Sequence, residues 1–178
     1  MREFGETIKI VACCIAAAAI YGVVHDQITA RICIEYFTVA HPRLIDSSSP
    51  TAIGLAWGVA ATWWVGLGLG ILLSLAARVG TWPRRKWRDL IRPISLLLVV
   101  MAFYACFWGW LLPQIPVPPG GGGLWGGRIP AEKYRAFLVC CGAHGASYEA
   151  GFWGGLALCA WTLWGRKRAG KWTRAATA

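Results

Sequence analysis

Charge is scarce in this chain. Only 15% of its 178 residues are Asp, Glu, Lys or Arg, and just 8 of them are acidic, well below the quarter or so usual for a soluble domain. Histidine is scarcer still, with His25, His41 and His144 alone, too meagre a supply for a multi-metal oxidase. The seven cysteines include no CxxC pair and no metal-finger spacing, which removes the zinc-ribbon and disulfide-framework readings. Six of them (Cys13, Cys14, Cys106, Cys140, Cys141, Cys159) fall in apolar runs, where a thiol behaves as a small hydrophobe. Only Cys33 lies in a mixed segment. There is no P-loop, dinucleotide fingerprint, HExxH or GxSxG, and no internal repeat. GGGG at 120–123 sits in a Pro-rich stretch rather than between strand and helix, so it supports no phosphate cradle.

What is present is apolar sequence in long runs. Hydrophobic residues make up 57% of the chain and the mean hydropathy is +0.50. Four runs, at about 8–28, 52–77, 94–112 and 134–164, each approach the roughly 20 residues that cross a bilayer core. The chain is expected to be all-α, a single transmembrane domain over 1–178 built as an integral four-helix bundle. A signal peptide is the competing reading of 1–24, but the mixed start (Arg2, Glu3, Glu6, Lys9) favours a retained helix. Several of the twelve Trp (Trp57, Trp82, Trp110, Trp164) fall near span ends, where amphipathic rings prefer the headgroup layer. Trp63, Trp64 and Trp153 lie deeper, as packing residues.

The net charge of +10 invites a nucleic-acid reading, which its distribution argues against. Arg78, Arg84, Arg85, Lys86, Arg88 and Arg92 crowd the loop 78–93, and Arg166, Lys167, Arg168, Lys171 and Arg174 the tail 165–178. Both clusters directly flank spans, where basic residues set topology and attract anionic lipid headgroups. The expected arrangement has both termini in the cytoplasm, as in a bacterial inner membrane, with no nucleic-acid partner. Gly54/Gly58, Gly66/Gly70 and Gly151/Gly155 are each four apart, allowing close helix contact in lipid. Such faces serve a compact bundle, a homo-oligomer or a larger membrane complex.

Two connections differ. The Pro/Gly-rich segment 113–130 excludes regular structure and is expected as an extracytoplasmic loop. Residues 25–40 contain no Pro or Gly and keep helical spacing, so the first helix is expected to run on to about Val39 as an amphipathic extension, ending before His41-Pro42.

Ionisable residues inside or beside spans are candidate functional sites. On an extended first helix, His25, Thr29, Ile32 and Tyr36 share a face, Arg31 and Glu35 are spaced to pair, and Asp26 points about a quarter turn from His25. A helix emerging into water explains His25, Asp26, Glu35 and His41 without special chemistry. On the last helix, His144 and Glu149 enter the apolar run, Glu149 near the bilayer midplane. Their offset sets them about 140° apart, and Tyr148 lies on the His144 face. The bland readings are a protonated Glu149 bonded across a helix interface and a packed His144.

Four functions fit this pattern. The commonest class for such a chain is an accessory or interaction subunit of a membrane assembly, using Gly faces and Trp girdle. A membrane enzyme or metal site would draw on His25, Glu35, His144 and Glu149, with Asp26 and His41 weaker, for Fe, Mn or Zn. Glu149, His144 and Tyr148 are then the catalytic candidates. A b-type haem would need His25 and His144 from facing helices, although helix rise sets His25 roughly 10 Å nearer the outer surface. Proton or ion translocation would step through His144 and Glu149.

Overall fold

A computed structural model describes residues 2–116 and 127–175. Most of the central Pro/Gly-rich segment, including GGGG, and the last three residues lie outside the described residues. The described chain is helical, without strands. It comprises α1 (Arg2–Ile32), α2 (Glu35–Thr38), α3 (Pro50–Ala60), α4 (Trp63–Arg78), α5 (Trp87–Leu111) and α6 (Tyr134–Ala175), with two 3₁₀ turns flanking the central segment. Three segments are long and apolar enough to cross a membrane: Glu3–Ile32, Pro50–Arg78 and Trp87–Gln114. Phe103, Trp153, Leu96, Ile20 and Trp110 stand exposed on the outer faces, a greasy exterior that water would not tolerate over so much area. α6 is longer, but His144, Ser147, Tyr148, Glu149 and its many glycines dilute its apolarity, and it is not among the three.

α1 stops at Ile32, short of the expected extension to Val39. The Arg31 guanidinium folds back onto the Gln27 carbonyl at 2.5 Å and reaches Thr51 Oγ1 at 2.7 Å. It is thereby held on its own helix and on the start of α3 instead of pairing with Glu35. The chain kinks at Cys33–Ile34 and α2 tucks Phe37 into a cluster with Ala30 and Ile53. The apolar anchor, not propensity, decides the break. The second span is likewise interrupted. Thr62 Oγ1 donates to the Gly58 carbonyl at 2.6 Å, separating α3 from α4 where α1 crosses. A Cβ on Gly58 would lie 2.5 Å from Val23 Cα, so the two backbones touch there. The third helix opens seven residues before Ile94, its Asp89 carboxylate accepting from the Lys86 N–H at 2.8 Å. Pro93 is carried inside it.

α1 packs mainly on α3 and α4, and α5 on α6, which also touches α4 and α1. One end is closed by polar ties. Arg78 bonds Glu3 Oε2 at 2.6 Å and the Arg85 carbonyl at 2.9 Å, and Arg84 also reaches Glu3. Arg166, 0% exposed, donates to the carbonyls of Pro83, Val79 and Trp82 at 2.9–3.1 Å and to that of Ala76. Two of the basic residues expected to face lipid headgroups, Arg78 and Arg166, are instead buried fasteners. Beside them lies the first core cluster, Ile10, Cys14, Leu73, Ala77, Leu90 and Ile94. At the opposite end Cys33, Ala40, Ile129, Phe137 and Cys140 form a second.

Candidate functional site

The second cluster fixes the register of α6 against α1. Tyr134 and Phe137 pack beside Cys33, Tyr36 and Ala40, beyond the end of α1. Cys140 Sγ then meets the Thr29 carbonyl at 3.4 Å. Running antiparallel from there, α6 reaches the level of His25 and Asp26 one helical turn later, at His144. The roughly 10 Å axial offset expected between His25 and His144 is therefore absent. It assumed that the first span ends at the level where the last begins, whereas the first turn of α6 overhangs the end of α1.

His25, Asp26 and His144 come together as one cluster, their ligand-type atoms all within 4.8 Å of one another. Asp26, expected at a wet helix exit, is 5% exposed. Its Oδ1 lies 3.1 Å from His144 Nε2. The imidazoles of His25 and His144 meet edge to face with centroids 4.5 Å apart. Adjacent positions on α1 are about 100° apart, so the helix itself does not converge them. α6 packs between their two directions, and His144 reaches both.

The hydrogen bonds set the protonation of His144. Its Nδ1 faces the Cys140 carbonyl at 2.9 Å, and a carbonyl only accepts, so Nδ1 carries hydrogen. Nε2 then points at a carboxyl oxygen. Two electron-rich atoms at 3.1 Å need a cation between them, either a proton or a metal ion. A backbone carbonyl holding one ring nitrogen while the other faces outward is also the usual support of a metal-bound imidazole. His25 is supported less tightly. Its Nδ1 lies 3.5 Å from Ser147 Oγ, which is bonded to the Tyr21 hydroxyl at 2.8 Å. Its Nε2 is buried with no hydrogen-bond partner among the described residues, an expensive state for a ring nitrogen.

Aromatic rings wall the cluster. Tyr36 stacks on His144 at 4.3 Å, and Phe37 meets it edge-on at 5.6 Å. His41 Nδ1 is bonded to the Tyr36 carbonyl at 2.7 Å, and its ring packs on Tyr36 and Trp57. His41 thus orients the stacking residue and stays outside the cluster. Glu35 accepts from Cys33 Sγ at 3.3 Å and also stays outside. Glu149 is exposed on the outer face of α6, as its offset from His144 requires. Tyr148, on the flank between, borders the cavity below the site. Imidazoles in ring contact leave no slot between them for a porphyrin plane, so this arrangement does not suit haem.

Tyr21 was legible as the residue one turn before His25 on the same helix face, whereas Ser147 and the Cys140 carbonyl had no signal in the sequence. Ser is common in apolar helices, and a carbonyl has no letter of its own. Below the cluster a cavity of about 120 Å³, counted as space for the centres of water-sized molecules, runs between α1, α4, α5 and α6. Away from the His/Asp end its walls are Ala, Val, Leu, Ile, Met and Gly, with Cys14 and Thr62 beside them. No protein family, curated protein or solved structure matches this chain.

Proposed function

We propose that the protein is a polytopic membrane protein that binds one divalent metal ion through His25, Asp26 and His144. The carrying observation is the combination at His144, with Nδ1 committed to a carbonyl and Nε2 turned toward Asp26 and the unpartnered His25. Two imidazoles and a carboxylate, leaving further coordination positions open, suit Fe, Mn or Zn. The aromatic wall of Tyr36 and Phe37 would hold the ligands and keep bulk water away. With open positions in an apolar bundle, the site is equipped for metal-assisted chemistry on a membrane-borne substrate.

The membrane arrangement that goes with this reading has α6 as a fourth span beside the three apolar ones, giving a four-helix bundle. Glu3, Arg78, Arg84 and Arg166 share one end of the molecule, and the remaining basic residues of the loop and tail are near it in sequence. The positive-inside rule makes that end cytoplasmic, with both termini there and the metal site toward the outer leaflet, as in a bacterial inner membrane. Lys86, Arg88, Arg92, Lys167 and Arg168, all exposed, are then available to anionic headgroups.

Elemental analysis of protein purified in mild detergent tests the metal site. The expected result is about one Fe, Mn or Zn per chain, lost in His144→Ala and in Asp26→Ala and retained in Glu149→Gln. Metal-free protein after growth in metal-supplemented medium would overturn it, as would full occupancy in His144→Ala.

A second reading rests on Glu149. A carboxyl exposed on a helix face beside Phe152 and Trp153, both exposed, is costly against lipid. A neighbouring subunit with a matching donor would relieve it. The accessory-subunit or homo-oligomer role therefore places α6 at an interface, and crosslinking from position 149 in native membranes tests it. Crosslinks only to lipid would remove this reading.

A further inference from the structure

The cavity beneath the His/Asp cluster has two unlike ends. Along α1 its lining runs from Cys14 to Asp26, about 18 Å by helix rise. The head end carries Tyr21, His25, Asp26, His144, Ser147 and Tyr148, and the rest is apolar apart from the Cys14 thiol and the Thr62 hydroxyl, which is bonded to the Gly58 carbonyl, with Leu69, Leu97, Met101 and Leu158 among the walls. One water needs roughly 10–15 Å³ on this measure, so 120 Å³ holds about ten waters' worth of space. At about 30 Å³ of liquid volume per water, ten waters correspond to ~300 Å³, near the lower limit of small-molecule pockets, enough for one hydrocarbon chain and too little for two. Apolar cavities of this kind do not retain water, and a chain of matching length is the natural filling in a bilayer. Gly151 and Gly155 let Met101 and Leu69 of the facing walls pack in close, so a larger side chain at either position would be driven, or would drive its neighbour, into the channel. A Cβ on Gly151 would meet Met101 Cε at 3.2 Å, and one on Gly155 would meet Leu69 Cδ2 at 2.8 Å.

The head end adds a charge requirement. Two neutral imidazoles and one carboxylate leave a divalent ion with a single positive charge in low-dielectric surroundings, where an unbalanced charge is expensive. A monoanionic oxygen donor brings the site to neutrality and fills an open position. Tyr148 is 44% exposed while lining the same cavity, so the head end reaches the outer face of the bundle and a lipid can enter beside it.

We propose that the protein binds a long-chain carboxylic acid, its single hydrocarbon chain in the cavity and its carboxylate at the His25–Asp26–His144 metal site. This rests on the metal-site reading for the head and on the cavity alone for the chain. The test uses the full-length protein in lipid nanodiscs, with displacement of spin-labelled stearate by octanoate, dodecanoate and dodecanol, and with metal content read on the same samples. Dodecanoate is expected to compete at least tenfold better than octanoate, and better than dodecanol only when metal is bound. Gly151→Leu, which fills the channel, is expected to weaken dodecanoate at least tenfold without changing metal content. Met101→Trp, filling the same space from α5, serves if the first variant does not fold. Equal competition by the two acids, or wild-type dodecanoate affinity in metal-replete Gly151→Leu, would overturn the fatty-acid assignment while leaving the metal site standing. Absence of metal from the wild type would sink the metal reading and the carboxylate's role with it. Chain-length dependence and the Gly151→Leu effect then decide the cavity assignment by themselves.

Discussion

Replacing Arg166 by Met should cost this protein far more than a tail residue ordinarily would. The guanidinium is fully buried and donates to the carbonyls of Ala76, Val79, Trp82 and Pro83, with Trp82 also beneath it as a cation–π partner at 6.0 Å. Ala76 and Val79 belong to the last turn of α4 and its cap, whose carbonyls have no intrahelical donors. Met keeps the volume and removes every donor. Each buried carbonyl left unsatisfied costs about 1–3 kcal/mol, partly offset because the arginine no longer has to be desolvated. With several carbonyls affected and that offset included, the net loss should be ~3–5 kcal/mol, so the unfolding equilibrium should shift by about 10²–10⁴-fold. Lys should not rescue, since a compact ammonium cannot reproduce the planar five-donor fork. Reversible unfolding in mixed SDS and mild-detergent micelles reads the difference. The site residues lie at the other end of the bundle, so metal content of the folded Arg166→Met fraction should be unchanged. A loss below ~1 kcal/mol, or full rescue by Lys, would refute the claim that this residue fastens α6 to the α4–α5 connection.

Three further outcomes follow from the same geometry. Tyr36→Ala removes the ring stacked on His144 and should lower metal affinity about 10- to 100-fold, whereas Tyr36→Phe keeps the ring and should match wild type; equal loss in both would point to the hydroxyl instead. Gly58→Ala drives a methyl into the Val23 backbone and should destabilise by about 1–3 kcal/mol or more. Gly68→Ala, with nothing within 4 Å of the added carbon, should be neutral or slightly stabilising through helix propensity, and the two melting curves should separate accordingly. Burial, followed by the hydrogen bond to Glu35, pushes the Cys33 thiol above its ordinary range. At a pH of about 8, just below that range, it should react with maleimide only after unfolding, and rapid labelling of the folded chain at Cys33 would show that the turn after α1 is open.

The helical class and three apolar spans were legible because the bilayer demands long runs that meet every backbone hydrogen bond internally, and such runs leave a trace in composition. The role of the Gly58 spacing was legible for a similar reason, since only a missing Cβ lets backbones touch. His25, Asp26 and His144 could each be suspected on the cost of polarity in hydrocarbon. Their convergence could not. Read along single helices, Asp26 turned away from His25, His144 stood deeper than both, and Glu149 seemed the more telling residue.

Convergence depends on how far α6 slides along α1, and that register is set by Phe137, Cys140 and Tyr36 packing beyond the end of the first helix. It also depends on the kink at Cys33, where buried Phe37 overrides a sequence that would continue as helix. The Arg31 and Arg166 side chains show the same division. Both are basic residues near span ends, and only the tertiary structure reveals that Arg166 is consumed by four backbone carbonyls and Arg31 by Gln27 and the Thr51 hydroxyl. Composition and periodicity are properties of one chain segment and its solvent, so the sequence by itself determined that this chain is helical and belongs with lipid. A site made from two helices is a property of their relative position, which arises from side-chain packing many residues away, and so only the fold decided which of the scarce polar groups meet.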